Sequence, residues 1–296
     1  MTDPSGTATR RRLCVVTHRK WVATDIAKAA DYAVTHHLGF DIPEHDMLTG
    51  WWMPTEWAAH AKLSGADFSL TAPQRGWLTT LDPDFTGRKI RAFTLGQLVS
   101  DASELLDVSQ PGWCKLADMK SDDIMSEWYD RVEDFVTKAK THGVSPETVV
   151  EISDKKLELV TEYRCYVLDG HVISAAPYLH EGITWGEGIP ENLDNDAAAG
   201  YAQEVVSAVG SVGEAQPTVY TLDVACDKSG RFYVVEANPV WSSAVYGNNA
   251  DEAAKAIWAG STRFVSGRYA WSPDPTLHGK YSTLRPLKFL GRKGGL

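Results

Sequence analysis

The sharpest chemical signal in the sequence is the segment Thr221-Leu-Asp223-Val-Ala-Cys-Asp-Lys-Ser-Gly-Arg-Phe-Tyr-Val-Val-Glu236-Ala-Asn238-Pro239. If Ser229-Gly230 form the tight turn of a hairpin, Asp223 lies opposite Glu236 and Thr221 opposite Asn238. Directly opposed residues have Cβ atoms about 4.5 to 5.5 Å apart. Strand alternation then projects Asp223, Glu236 and Asn238 from one face. Two carboxylates that close repel unless something neutralises them, and a hard divalent cation with oxygen ligands is the natural partner. The set holds no His or Cys, so Mg2+, with Mn2+ as the alternative, suits it better than zinc. The plainer reading of the same residues is a solvated hairpin that happens to carry acids.

Two further groups carry charge at suggestive spacing. In Glu162-Tyr-Arg164 the period of two puts acid and guanidinium on one strand face, among Val160, Tyr163, Cys165 and Val167. An arginine there presents a planar fork to phosphate or carboxylate oxygens, unless it simply closes on Glu162. Lys115 sits between apolar neighbours, where a charge needs a counter-ion. Lys120 follows after a turn, so the two ammoniums can converge on one anion, although most lysines only solvate a surface.

Strands and helices must position these groups. Leu13–Val16 reads as a short buried strand, with His18, Arg19 and Lys20 at its carboxyl end, where open sheets bind ligands. Residues 21–38 read as one helix, with His36 and His37 in its last turn and Gly39 as its cap. Strands are expected at 113–117, 148–153, 157–168, 171–176, 218–226 and 232–238. Helices are expected at 125–142, 196–209 and 250–259. Asp169-Gly170 is the strongest short hairpin signal in the chain.

With 296 residues, 43% hydrophobic and 23% charged, the composition suits a folded globular protein of about two compact units. A formal charge of −10 argues against broad binding to nucleic acid or anionic membranes. No apolar run is long enough for a signal-peptide core or a membrane span. Four scattered cysteines without a CxxC pair read as buried thiols in a reducing cytoplasm. Eleven tryptophans are many for this length, and those at Trp51 and Trp52 suit a partner surface as well as a substrate, which leaves a homodimer open.

Taken in order, these residues resemble an ATP-grasp enzyme over about residues 75 to 248. Two lysines come first, then an acid-x-Arg strand ending in Asp-Gly, then Asp in one strand and Glu-x-Asn-Pro in the next. The resemblance is closest to the small clade marked by one conserved arginine and two lysines. It implies an α/β (α+β) ATP-grasp fold, with an N-terminal α/β domain before two α+β subdomains that clamp a nucleotide. The implied boundaries are a tail at 1–9, an N-terminal domain at 10–100, an ATP-grasp domain at 101–265 and a C-terminal tail at 266–296. Within the ATP-grasp domain the lid covers about 111–155 and the C-terminal subdomain 156–265.

The same resemblance implies that Lys115 and Lys120 contact ATP phosphates and that Glu151, Ile152, Ser153 and Asp154 form the adenine hinge. Arg164, beside Glu162, would face the γ-phosphate or an acyl phosphate, with Arg164 and Lys120 taking part in transfer. Asp223, Glu236 and Asn238 would bind Mg2+. Trp241, Ser242, Ser243 and Tyr246 are candidates for the acceptor pocket, and His18 and Arg19 for the substrate carboxylate; packing and surface charge are their alternatives. Lys115-Leu116 departs from the Lys-Pro usual in the family. The implied activity is ATP-dependent ligation of a small carboxylate to an amine through an acyl phosphate. A small-molecule kinase of the same fold and a non-catalytic nucleotide-binding regulator are the alternatives.

Overall fold

A computed structural model describes residues 10–100, 106–117, 123–186 and 188–277. Three sheets organise it. The first is parallel, with β1 (Arg11–Val16) central between β2 (Tyr32–His37) and β3 (Thr49–Trp52). Leu13 to Val16 are buried, as expected for a parallel strand covered on both faces.

The sequence reading of one helix over 21–38 is corrected here. Helix α1 (Lys20–Ile26) ends early, and Tyr32–His37 pairs with β1 as a strand. The alanine-rich stretch around residue 30 reads as helix, but the partner strand next to it decides the outcome. His36 therefore bonds the Thr17 carbonyl across the sheet at 2.6 Å rather than closing a helix.

Helices α2 (Thr55–Leu63) and α3 (Pro83–Thr86) lead to the second sheet. Its strands are β4 (Ile90–Thr94), β5 (Gly112–Leu116), β6 (Glu127–Tyr129) and β7 (Val149–Ser153), in the order β4-β7-β5-β6. This sheet therefore begins before residue 100, with α4 (Leu95–Ser100) directly behind β4. A second correction concerns the expected helix at 125–142. Trp128 and its neighbours form the edge strand β6, and α5 begins only at Val132, running to Thr141. Phe135 and Ala139 of α5 are buried in this sheet's core with Leu116, Val150 and Ile152.

The third sheet is antiparallel, in the order β10-β9-β8-β11-β12. Its strands are β8 (Leu159–Leu168), β9 (His171–His180), β10 (Ile183–Thr184), β11 (Val219–Asp227) and β12 (Phe232–Asn238). Asp169 at φ 51° and Gly170 at φ 80° close β8 onto β9, as Asp-Gly turns do. Helix α6 (Asn195–Val209) covers one face with Ala198, Ala202, Val205 and Val206, a helical spacing that buries one stripe. Helix α7 (Ala250–Thr262) is capped by Asn249, whose Oδ1 accepts from the Asp251 and Glu252 amides. Gly260 lets α7 lie against the turn after Pro239, since a Cβ there would stand 2.4 Å from Val240 Cγ2.

Residues 269–277, part of the expected C-terminal tail, bury Tyr269, Trp271, Asp274, Thr276 and Leu277. Trp271 meets Trp241 edge-on at 4.9 Å, and its amide donates to the Leu70 carbonyl. Buried Asp274 accepts from Thr148 Oγ1, and Thr276 Oγ1 accepts from the Ser145 amide, both at 2.8 Å. The stretch thus joins the first layer to the second sheet. The expected tail at 1–9 and the last residues of the expected C-terminal tail lie outside the described residues. Among the described residues no helix is long and apolar enough to cross a membrane.

Candidate active site

The middle of the third sheet carries the charge. Arg164 on β8 stands opposite Asp223 on β11, and their side chains meet in a two-pronged ion pair. Arg164 Nε donates to Asp223 Oδ1 at 2.9 Å and Nη2 to Oδ2 at 2.7 Å. Arg164 is 5% exposed and Asp223 0%. Burial works against the guanidinium's charge, but the Asp223 carboxylate outweighs it and holds the Arg164 pKa well above its usual value. Arginine and acid therefore neutralise each other in a dry place, and the alternative of Arg164 closing on Glu162 is not what forms.

Across β11 and β12 the expected pairing is present: Asp223 opposite Glu236 and Thr221 opposite Asn238. The route to it differs from the expectation. The loop spans three residues rather than Ser229-Gly230 alone, with the Asp227 amide bonded to the Arg231 carbonyl at 3.0 Å. That shifts the register by one, and a bulge moves it back, because Asp223 faces Glu236 while Val224 faces Val234. Val235 is the extra residue. Arg88, which sequence reasoning missed, supports this bulge by donating to the Val234 and Val235 carbonyls at 3.4 and 3.3 Å. Burial lowers its pKa, against the pull of Glu151, Asp154 and Glu162. Arg88 also donates to the nearby Thr86 carbonyl at 3.0 Å, but no local motif signals its role at the bulge, because the Val234 and Val235 carbonyls lie far along the chain.

Lys115 links the second and third sheets. Its Nζ lies 3.2 Å from Glu151 Oε2 on β7 and 3.7 Å from Glu236 Oε2 on β12. Burial disfavours the ammonium, but Glu151 and Glu236 together raise the Lys115 pKa above its usual value. Asn238 Nδ2 donates to Glu236 Oε1 at 2.7 Å and to Asp223 Oδ2 at 3.4 Å. The mutual repulsion of Asp223 and Glu236 is thus relieved by Arg164, Lys115 and an amide, all from the protein itself. Among the described residues no group of three or more His, Cys, Asp or Glu side chains is arranged to hold a metal.

These groups open onto a cavity of about 520 Å³. Lys115, Glu151, Arg164, Glu236 and Asn238 line it, together with His18 and Arg19 from the end of β1 and Ser242, Ser243 and Tyr246 from the turn after β12. Ser243 also bonds inward, donating to the Pro239 carbonyl and meeting Thr221 Oγ1 at 2.9 Å. Trp21, Thr55 and Glu56 line the cavity too and were missed in the sequence, where nothing marks them apart from other surface positions. Thr55 Oγ1 reaches Ser242 Oγ at 3.1 Å, tying the first layer to the third sheet.

Other expected site residues lie elsewhere. Trp241 is wholly buried, donates from Nε1 to the Thr71 carbonyl at 2.8 Å and does not line the cavity. Ile152 is in the core of the second sheet, and Ser153 Oγ donates to the Lys155 carbonyl. Asp154 accepts from the Lys89 amide at a second opening, beside Arg88, Lys155 and Arg231. Glu162 accepts from the Tyr178 hydroxyl. Lys120 lies outside the described residues.

Comparison with known proteins places this arrangement. A family model for the ATP-grasp domain, family 3 of the clade named for one arginine and two lysines, matches residues 59–259. No curated protein matches the chain. Among solved structures, D-cycloserine synthetase DcsG is similar at 14% identity and a TM-score of 0.49, over 83% of this chain and 98% of that one. N5-carboxyaminoimidazole synthetase from Staphylococcus aureus, complexed with ADP, gives 12% and 0.47 over 86% and 79%. D-alanine-D-alanine ligase from Coxiella burnetii gives 10% and 0.45 over 86% and 95%. These likenesses are distant, whereas the family match spans more than half of the chain and includes Lys115, Arg164, Asp223, Glu236 and Asn238. The chain has the ATP-grasp fold and belongs to family 3 of the ATP-grasp clade named for one arginine and two lysines.

Proposed function

We propose that the protein is an ATP-dependent, ADP-forming ligase that joins a carboxylate to an amine through an acyl phosphate, acting on a small acid, amino acid or short peptide. The observation that carries this reading is that Lys115, Arg164, Glu236 and Asn238 share one cavity with His18, Arg19 and Ser242. Family members bind ATP, and a triphosphate needs the positive charge that Lys115 and Arg164 supply. Lys120 is a further proposed phosphate contact. Glu151, which lines the cavity where the chain leaves the second sheet for the third, is the proposed adenine edge, whereas Ile152, Ser153 and Asp154 behind it do not line the cavity.

In the first step the acid's carboxylate oxygen attacks the γ-phosphorus and ADP departs. In the second, the amine attacks the acyl carbon, the acyl C–O bond to phosphate breaks, and phosphate departs while the amine's surplus proton passes to solvent. Charge held at fixed positions lowers the barrier to both steps. Arg19 offers a cationic partner and His18 a ring nitrogen for the incoming carboxylate, and Ser242 and Tyr246 form the adjoining wall. On this reading the partners are small-molecule carboxylate and amine substrates in the cytoplasm.

Glu236 and Asn238 fit a Mg2+ ion by their chemistry, since both bring oxygen donors to the cavity. Asp223 fits less readily, because both its oxygens accept from Arg164. When bound, the ion would neutralise phosphate charge. Without it, Glu236 orients Asn238 and holds Lys115 in the cavity.

The test is a screen of acids and amines for ATP-dependent phosphate release. ADP and phosphate formed only when both substrates are present support the ligase. A stable phosphorylated product in place of free phosphate would make the protein a kinase instead. Glu236→Gln is expected to abolish metal-dependent turnover with the fold intact; full activity in that variant would reject the metal assignment.

A further inference from the structure

A second bulge lies on the other side of the Arg164–Asp223 pair. Between β8 and β9, Glu162 faces Leu179 while Tyr163 faces Pro177, so Tyr178 is the extra residue on β9. A bulge re-aims the side chain it carries. The Tyr178 ring centre lies 5.2 Å from Arg164 Cζ, and its hydroxyl donates to Glu162 Oε2. Tyr178 also stacks on Tyr246 at 5.1 Å and 15°, and Tyr246 lies 5.1 Å from the same Arg164 carbon. Tyr246 holds a left-handed backbone, φ 52°, which an aromatic residue adopts only where its surroundings enforce it.

These contacts divide the surface of the guanidinium. Asp223 takes Nε and Nη2, the Ala244 carbonyl lies 3.4 Å from Nη1, and two rings lie against the group. Burial, reinforced by Asp223 and Glu162, pushes the Tyr178 phenol well above its usual pKa, so it remains the donor to Glu162.

We propose that Tyr178 is a positioning residue: anchored by Glu162 and by its bulge, its ring fixes the plane of the Arg164 guanidinium so that the remaining N–H groups meet a phosphoryl oxygen in the cavity. The identity of that oxygen rests on the ligase reading. The placement of the ring over Arg164 does not.

The test compares Tyr178→Phe, which keeps the ring, with Tyr178→Leu, which removes it, each checked for folding by thermal unfolding. In NMR spectra of arginine-labelled protein, the Arg164 Nε–H signal is identified by its loss in Arg164→Lys. It should keep its ring-shifted position in Tyr178→Phe and move in Tyr178→Leu. A desolvated cation–ring contact corresponds to about thirtyfold, so Tyr178→Leu should lower kcat about thirtyfold with the KM for ATP nearly unchanged. Tyr178→Phe should stay within about threefold. Adding Tyr178→Leu to Arg164→Lys should cost no more than Arg164→Lys alone. An unmoved Arg164 signal, equal losses in both Tyr178 variants, or a further full loss in the double variant would overturn the proposal. If no acid–amine pair gives phosphate release, the ligase reading fails, and the NMR comparison still decides the role of Tyr178.

Discussion

Arg164 and Asp223 face each other across two neighbouring strands, and every oxygen of the acid is occupied by the guanidinium of the arginine. A buried pair of this kind is costly to break from one side. Asp223→Ala strands a positive charge in the sheet, and the expected loss is about 3–5 kcal/mol in urea unfolding. The paired change Arg164→Met with Asp223→Leu should recover most of that stability and none of the turnover. A loss below about 1 kcal/mol in Asp223→Ala would show that the pair is better solvated than its burial indicates.

Lys115 should dominate nucleotide affinity. A hydrogen bond from a charged group is about 1.5–3 kcal/mol, so Lys115→Met is expected to weaken ATP binding about ten- to hundredfold by calorimetry. Its raised pKa gives a sign as well. The charge, and the stability it confers on Glu151 and Glu236, is complete below the ordinary lysine range and is lost only as pH rises through the folded value. ATP affinity should therefore show no lysine titration between about pH 6 and 9. Unchanged affinity in Lys115→Met would reject the phosphate contact.

Trp241 should behave as a core residue. Trp241→Ala is expected to cost about 3–5 kcal/mol, as large-to-small core changes do. Trp241→Phe keeps most of the volume but leaves the Thr71 carbonyl without its donor, at about 1–3 kcal/mol. Turnover per folded molecule should be unchanged in Trp241→Phe. A selective rise in the KM of one substrate would return this residue to the acceptor pocket.

The β11–β12 loop carries a pH signature. The Ser229 hydroxyl, helped by Tyr233 and nearby amides, holds the Asp227 carboxyl down at about 2. A carboxyl depressed on folding stabilises at pH values above its unfolded pKa, near 4, and that contribution fades as pH falls towards about 2. The stability gap between the native protein and Asp227→Asn should therefore be constant from neutral pH to about 4 and close below it. A gap that persists below pH 2 would mean that Asp227 acts through geometry alone.

Local signals made much of the third sheet legible. Asp169-Gly170 marks the β8–β9 hairpin, and the spacing from Asp223 to Asn238 gives the facing residues. That success was partly fortunate: the turn is one residue longer than read, and a bulge at Val235 restores the register. A bulge is a property of two paired strands, so one strand's pattern does not show where Tyr178 points, and Arg88 meets the Val235 bulge through carbonyls far along the chain. The stretch from Tyr32 to His37 misled for a related reason, since its strand exists only because β1 is beside it. The ion pairs of Lys115 were equally hidden, joining residues from two sheets that no spacing rule connects.

The buried passage of residues 269–277 has a consequence for how the molecule is made. Leu70, Arg75, Ser145 and Thr148 all leave the ribosome long before the segment that bonds them does. Their partners are Trp271, Ser272, Asp274 and Thr276. Domains emerging from synthesis generally fold from the amino end first. Here the joint between the first layer and the second sheet waits for some of the last described residues to be translated, so a ribosome stalled around residue 265 would hold a nascent chain with all the cavity-lining residues made and that joint still open.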